Sequence, residues 1–283
     1  MQPDILTEVF GGAAPIVVSD EEDTLEGTAR EVEMALQLEA DIAERPGNTL
    51  SHAEKMSILE ALEEHERRQD FRGHLAYFPD EGPYAYDKYP KHMEFMRLGA
   101  QKRERMFMAG NRVGKSIAGG YEMACHLTGI YPHWWEGRRF PMATDCWASG
   151  DTGQTTRDIV QSTLLGENNN WGTGLIPGDA IDDIRMRPGG GGAVDLVRVK
   201  HTTGQYSKLG FKSYDQKRRA FQGTQKHCIW LDEEPPLEVY GECLVRTMTT
   251  NGVVYVTFTP LMGITMFVQE FLDAARDSGQ ISY

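Results

Sequence analysis

Met106-Phe-Met-Ala-Gly-Asn-Arg-Val-Gly-Lys-Ser116 reads as a short apolar strand running into a glycine-bearing loop, and Ile117 to Leu127 behind it keeps a helix-compatible pattern. A loop of this kind between strand and helix curls its backbone N–H groups round nucleotide phosphates. Its lysine reaches the β and γ oxygens, and the following hydroxyl ligates Mg²⁺. The loop comprises Ala109, Gly110, Asn111, Arg112, Val113, Gly114, Lys115 and Ser116, with Ala109 standing where the motif has its first glycine. The expected ligands are ATP and Mg²⁺. A bare Gly-Lys-Ser arises easily by composition, so the weight rests on the strand before, the helix after, and a second motif downstream.

That second motif is His227-Cys-Ile-Trp-Leu-Asp-Glu-Glu234. An apolar strand ending in adjacent acids places Asp232 at the carboxyl edge of a parallel sheet, beside the loop, as a metal-shell carboxylate. Glu233, one residue on, is then free to accept a proton from, or orient, the water that attacks the γ-phosphate. The plainer reading is a strand closed by a solvated acidic turn before Pro235-Pro236.

The other segments fit around these two. Val253 to Phe258 reads as a strand entering Thr259-Pro260-Leu-Met-Gly263, and Thr257 and Thr259 are placed to sense the γ-phosphate. Asp145 to Ser149 reads as a strand, followed by a helix from about Gln154 that carries Arg157. Val194 to Val199 and Leu209 to Ser213 are further strands, and Met266 to Ala275 a last helix. Residues 166–192, rich in Gly and Asn, read as loops or a hairpin, with Asp179, Asp182 and Asp183 in a loop that no strand holds. Lys217, Arg218 and Arg219 form a small basic turn. Upstream of the loop, Lys91 to Leu98 is helical, and Tyr89, Pro90 and His92 are either an adenine sandwich or ordinary core. Strands alternating with helices predict a three-layer α/β sandwich on a mostly parallel sheet.

Charge separates the chain into two parts. Residues 1–66 hold 17 acids against Arg30, Arg45 and Lys55, a net of −14, whereas 67–283 hold 25 acids and 26 bases, a net of +1. The overall −13 therefore belongs to an acidic N-terminal appendage and does not exclude a nucleic-acid substrate. Within it the first two dozen residues lack periodicity. Leu25 to Glu44 and Ser51 to Gln69 are helical, broken at Pro46-Gly47-Asn48. No apolar run reaches membrane-spanning length and no secretory signal opens the chain, so a cytoplasmic protein is expected. Cys125, Cys146, Cys228 and Cys243 lack paired spacing, which argues for reduced thiols rather than a zinc site or a disulfide framework.

Together, Met108-Ala-Gly-Asn-Arg-Val-Gly-Lys-Ser116, Ile229-Trp-Leu-Asp-Glu-Glu-Pro235 and Thr257-Phe-Thr-Pro-Leu-Met-Gly263 resemble the large terminase subunit of tailed bacteriophages, over about residues 67–283. The resemblance implies a RecA/ASCE-like P-loop NTPase fold and an ATP-driven motor that packages viral double-stranded DNA into a procapsid. It implies the portal protein and the small terminase subunit as partners, and a homo-oligomeric ring. Its setting would be the host cytoplasm, transiently at the portal vertex, without membrane. The family's adenine motif, Walker A loop, Walker B strand with catalytic Glu, and coupling motif map onto Tyr89 to His92, Ala109 to Ser116, Ile229 to Glu233, and Thr257 to Thr259. Arg157 resembles the arginine that reaches a neighbouring subunit's site. Two positions depart from the pattern: His92 stands where many members have Gln, and Arg112 lies one step after the usual loop arginine, where this chain has Asn111. Members usually continue into a ribonuclease-H-like nuclease, and this chain stops at Tyr283, so the ATPase portion of a longer protein, or a natural fragment, is expected. The competing classes are a P-loop phosphotransferase, a two-lobed helicase, and a nucleotide-dependent assembly module without DNA translocation.

Overall fold

A run of β-branched and aromatic residues, Val253-Val-Tyr-Val-Thr-Phe258, is buried along its whole length, as a strand covered on both faces must be. It sits in the middle of the sheet that organises the chain. The computed structural model describes Met56 and residues 73–167, 170–189, 191–261, 263–278 and 281–282. All lie in one compact unit, Leu50–Tyr283. Apart from Met56, the acidic appendage and its two expected helices lie outside the described residues.

In chain order the elements are α1 (Pro90–Leu98), β1 (Glu104–Met108), α2 (Lys115–Thr128), β2 (Asp145–Gly150), α3 (153–165), β3 (Ile181–Met186), β4 (Val194–Lys200) and β5 (Tyr206–Ser213). They are followed by β6 (Cys228–Asp232), α4 (Leu237–Thr247), β7 (Val253–Phe258), α5 (Met266–Ser278) and β8 (Ile281–Ser282). The sheet runs β3-β4-β5-β2-β6-β7-β1-β8. Its centre, β5-β2-β6-β7-β1, is parallel throughout, with β8 parallel to β1. β4 is antiparallel to β5, and β3 to β4. Successive side chains on a strand face opposite layers. Cys228 and Trp230 of β6 pack with α1, α2 and α3, while Ile229 and Leu231 pack with α4 and α5. The expected three-layer α/β sandwich is the architecture observed.

The segment before β4 departs from the expected loop. Asp182 and Asp183 lie on edge strand β3, which forms a hairpin with β4, and Asp179 sits in a short turn of 3₁₀ helix. The strand was hidden because a register shift between Ile181 and Asp183 breaks its alternation and its outer edge needs no apolar residues. Asp182 is paired with Arg198 of β4. A second departure is in α3, where Thr156–Gln161 adopts a π-helical turn. Thr156 pins this turn to β2 and β5: its hydroxyl accepts from the Gly150 N–H and lies within bonding distance of the Thr152 and Lys212 carbonyls. Cys125, Cys146, Cys228 and Cys243 are buried and unbridged. No helix among the described residues is long and apolar enough to cross a membrane.

Candidate active site

Four parallel strands deliver their carboxyl ends to one edge. β1 opens into the loop at Ala109, β2 into Asp151, β6 into Glu233 and β7 into Thr259. Ligands of open α/β sheets bind along this edge. Gly114, in the left-handed region at φ 84°, turns the chain into α2, so that the free N–H groups of the helix's first turn face the loop. Lys115 Nζ donates to the Gly110 carbonyl at 2.7 Å, spanning the loop. Asp151, Glu233, Thr259 and Thr155 line an adjoining cleft of about 490 Å³.

Ser116 and Asp232 meet, 116 residues apart in sequence. The Ser116 hydroxyl donates to the Asp232 carboxylate at 3.0 Å. Thr257, fully buried on β7 between β1 and β6, donates to the same carboxylate oxygen at 2.6 Å and accepts from Trp230 Nε1 at 2.7 Å. An indole N–H is only a donor, so it fixes the sense of the chain: Trp230 to Thr257, Thr257 to Asp232. Trp230 fits there because Gly119 of α2 has no side chain; a Cβ at that glycine would lie 2.5 Å from Trp230 Nε1. Burial raises the Asp232 carboxyl to about 6, against the opposing pull of Thr257 and Ser116. A hydroxyl beside a buried carboxylate is a hard-oxygen pair of the kind Mg²⁺ prefers, and the residues therefore fit that ion.

Glu233 is held differently. Its φ of 68° is in the left-handed region, its N–H donates to the Thr257 carbonyl at 2.8 Å, and its own carbonyl accepts from the Tyr214 hydroxyl at 3.0 Å. This turn sets Glu233 on the lining of the same cleft that Asp232 lines. Burial raises its carboxyl, opposed first by the Lys115 charge. Thr259 bonds Asn111 Oδ1 at 2.8 Å, joining the end of β7 to the phosphate loop.

The remaining expected residues fall into two groups. His92 is buried on α1, with its Nε2 donating to the Val113 carbonyl at 2.9 Å and its ring against Phe78, Tyr89 and Phe107. Tyr89, half-buried, packs edge-on against Phe78 and His92, so both side chains form the wall behind the loop. Arg112 is exposed in the loop with φ 61°. Arg157 leaves α3 toward the β3–β4 turn, bonding Asp158 at 2.7 Å and the Gly191 carbonyl at 2.9 Å. It does not join the cleft of its own chain.

Sequence reasoning missed Trp230, Tyr214 and the buried pair behind the loop. Arg105 of β1 and Glu122 of α2, both fully buried, form a bidentate ion pair, and His126 donates to the same carboxylate at 3.2 Å. Trp230 lay inside the acidic motif, where a donor-only side chain two residues before Asp232 was a signal. Arg105 and Glu122 gave none, because either alone reads as a solvated charge.

A family model described as terminase large subunit, T4likevirus-type, N-terminal, matches residues 106–280. The terminase large subunit of Salmonella phage P22 is 38% identical over an alignment covering 83% of this chain and 49% of that protein. The crystal structure of the HK97 bacteriophage large terminase superposes with a TM-score of 0.51 at 14% identity, covering 77% of this chain and 42% of that one. That likeness shows the fold. The chain spans about half the length of the curated relative it matches.

Proposed function

The chain belongs to the terminase large-subunit family, and from that premise we propose that it is the ATP-hydrolysing part of a motor that drives viral double-stranded DNA into a procapsid. The observation that carries this reading is the meeting of Ser116 and Asp232, with Glu233 beside Asp232 on the lining of one cleft. Metal-shell carboxylate and water-facing carboxylate are adjacent in sequence and differ in their bonds: Ser116 and Thr257 donate to the Asp232 side chain, while Glu233 is held through its backbone by Thr257 and Tyr214.

In this mechanism the N–H groups of the loop and Lys115 cradle the β and γ oxygens of ATP. Bound through Ser116 and Asp232, Mg²⁺ would neutralise charge on the phosphates. Glu233 orients the attacking water and takes its proton as the new O–P bond forms. The bond from the γ-phosphorus to the bridging oxygen breaks, leaving ADP and inorganic phosphate. Thr257, with no exposed surface, acts by positioning Asp232 rather than by touching nucleotide. Thr259 and Asn111 link the γ-phosphate position to β7, a route from hydrolysis to movement. Arg112 is the loop's own exposed cation. Arg157, directed away from its own cleft, is assigned to a neighbouring subunit's site in a ring. His92 and Tyr89 support the loop from behind, beneath the adenine side.

The motor reading brings in double-stranded DNA, the portal protein and the small terminase subunit as partners in the host cytoplasm. A P-loop phosphotransferase would shield its phosphoryl group from water, whereas Glu233 supplies a base for water beside Lys115. Phosphate release with no acceptor present, increased by double-stranded DNA, is the expected outcome. Nucleotide binding without turnover, with DNA and procapsid supplied, would favour an assembly module instead.

A further inference from the structure

We infer that the edge of the sheet opposite the nucleotide cleft binds the phosphate backbone of double-stranded DNA through Lys102, Arg103, Arg138 and Arg139, an inference that rests on the DNA-motor reading. β1, β2, β6 and β7 all begin on this edge, at Glu104, Asp145, Cys228 and Val253. The turn ahead of β7 organises it. Arg103 Nε donates to the Gly252 carbonyl at 3.2 Å, and Arg138 Nη2 to the neighbouring Asn251 carbonyl at 3.1 Å. Two guanidiniums from segments 35 positions apart are thus held by adjacent carbonyls of one turn. Asn251, at φ 49°, holds that turn in the left-handed region an asparagine tolerates. Arg139, the next residue, bonds the Trp135 carbonyl at 3.2 Å and lies 4.9 Å from the centre of the Tyr131 ring.

What these cations bond is the informative part. Each anchor is a neutral carbonyl or a ring face, and among the described residues none of the four forms an ion pair. Neighbouring cations on the same side do: Lys226 pairs with Asp145, and Arg218 and Arg246 pair with Glu242. A guanidinium has five N–H donors, so each arginine here keeps donors and its full charge after being oriented. Oriented, unneutralised arginines match the way proteins hold phosphate oxygens without reading bases. An acidic protein surface is the less suited partner, since several guanidiniums gathered round one turn fit the closely spaced charges of a phosphate chain. Strands of five or six residues put this edge about 17 Å from the phosphate loop, so DNA and nucleotide bind at once.

The test measures binding of a random-sequence DNA duplex by fluorescence anisotropy across a salt series, for the wild-type chain and for Arg103→Gln/Arg138→Gln/Arg139→Gln. Glutamine keeps a donor for the turn carbonyls, and a Lys102→Gln/Arg139→Gln variant leaves those carbonyl bonds untouched. Each phosphate contact contributes about 0.9 to the slope of log affinity against log salt, so the triple variant should lose about 2 to 3 from that slope and bind at least tenfold more weakly. The double variant should lose about 1 to 2. DNA-free ATP hydrolysis should stay at the wild-type rate in both. Wild-type binding with an undiminished slope in both variants overturns this edge while leaving the motor reading intact. So does loss of polyglutamate binding with DNA binding retained, which would assign the edge to an acidic protein. A wild-type chain that binds no DNA at low salt defeats the motor reading itself.

Discussion

Replacing Thr257 by valine deletes one hydroxyl and little volume, and it should cost far more than a surface threonine would. Thr257 Oγ1 is fully buried and makes two short bonds, 2.7 Å from Trp230 Nε1 and 2.6 Å to Asp232 Oδ1. In the valine variant the indole N–H is left buried without an acceptor, a cost of about 1 to 3 kcal/mol. Asp232 also loses a charge-assisted bond of about 1.5 to 3 kcal/mol, although Ser116 still donates to it. The sum is about 2.5 to 6 kcal/mol, and at about 2 to 4 °C per kcal/mol the melting temperature should fall by roughly 5 to 25 °C. Thr257→Ser keeps the hydroxyl and should lose about 1 kcal/mol, for one buried methyl. The double variant Trp230→Phe/Thr257→Val removes donor and acceptor together. It should therefore be more stable than the sum of the single changes predicts, by about 1 kcal/mol or more. Urea unfolding of the wild type, Trp230→Phe, Thr257→Val and the double variant measures this directly. Strict additivity, or a Thr257→Val protein within about 0.5 kcal/mol of wild type, would refute the relay from Trp230 through Thr257 to Asp232.

Asp232 gives a prediction in pH. Its folded carboxyl titrates at about 6, above the ordinary value of 3.8, so the nucleotide-free folded state binds the extra proton between those limits. This group's contribution is therefore most favourable below about 4 and is lost as pH rises through 6, a swing of about 3 kcal/mol at most. Asp232→Asn should then unfold at higher urea than wild type at pH 8, with the gain vanishing near pH 4, while Mg²⁺-dependent turnover is abolished. His92→Ala should lower kcat for ATP and GTP by the same factor, and His92→Gln, with an N–H able to reach the Val113 carbonyl, should restore most of it. A change in the ATP to GTP preference would instead make His92 a reader of the base. Mixing Arg157→Ala chains with Lys115→Ala chains on procapsids should recover some hydrolysis, since a mixed ring contains sites with both residues. Mixtures as inactive as their components would remove Arg157 from the neighbour's site.

The parallel core was most legible where a strand covered on both faces is written as a nearly unbroken apolar run: Val253 to Phe258 has the bounds read from the sequence. The loop and the acidic strand were legible for a related reason, since backbone chemistry demands Gly114, Lys115, Ser116 and Asp232 in fixed local order. Edge strand β3 was not, because only one face is covered and a register shift interrupts even that. Partnerships across the sheet were also hidden. Thr257 looked like a sensor by its place after an acidic strand, and only the position of β7 between β1 and β6 turns it onto Asp232. His92 was read as a choice between adenine and core, and what decides its contact is a carbonyl 21 residues away.

The central claim is that Glu233 is the water-facing carboxylate of an ATPase and Lys115 its phosphate ligand. Steady-state phosphate release, with and without double-stranded DNA and procapsid, should be measured for the wild type, Glu233→Gln and Lys115→Ala, with nucleotide binding measured in parallel. The account predicts turnover in the wild type that DNA and procapsid increase, and Glu233→Gln should bind ATP normally and hydrolyse it at least a hundredfold more slowly, the scale of a lost general base. Lys115→Ala should stay folded and lose both. A Glu233→Gln protein that keeps near-normal turnover would contradict it.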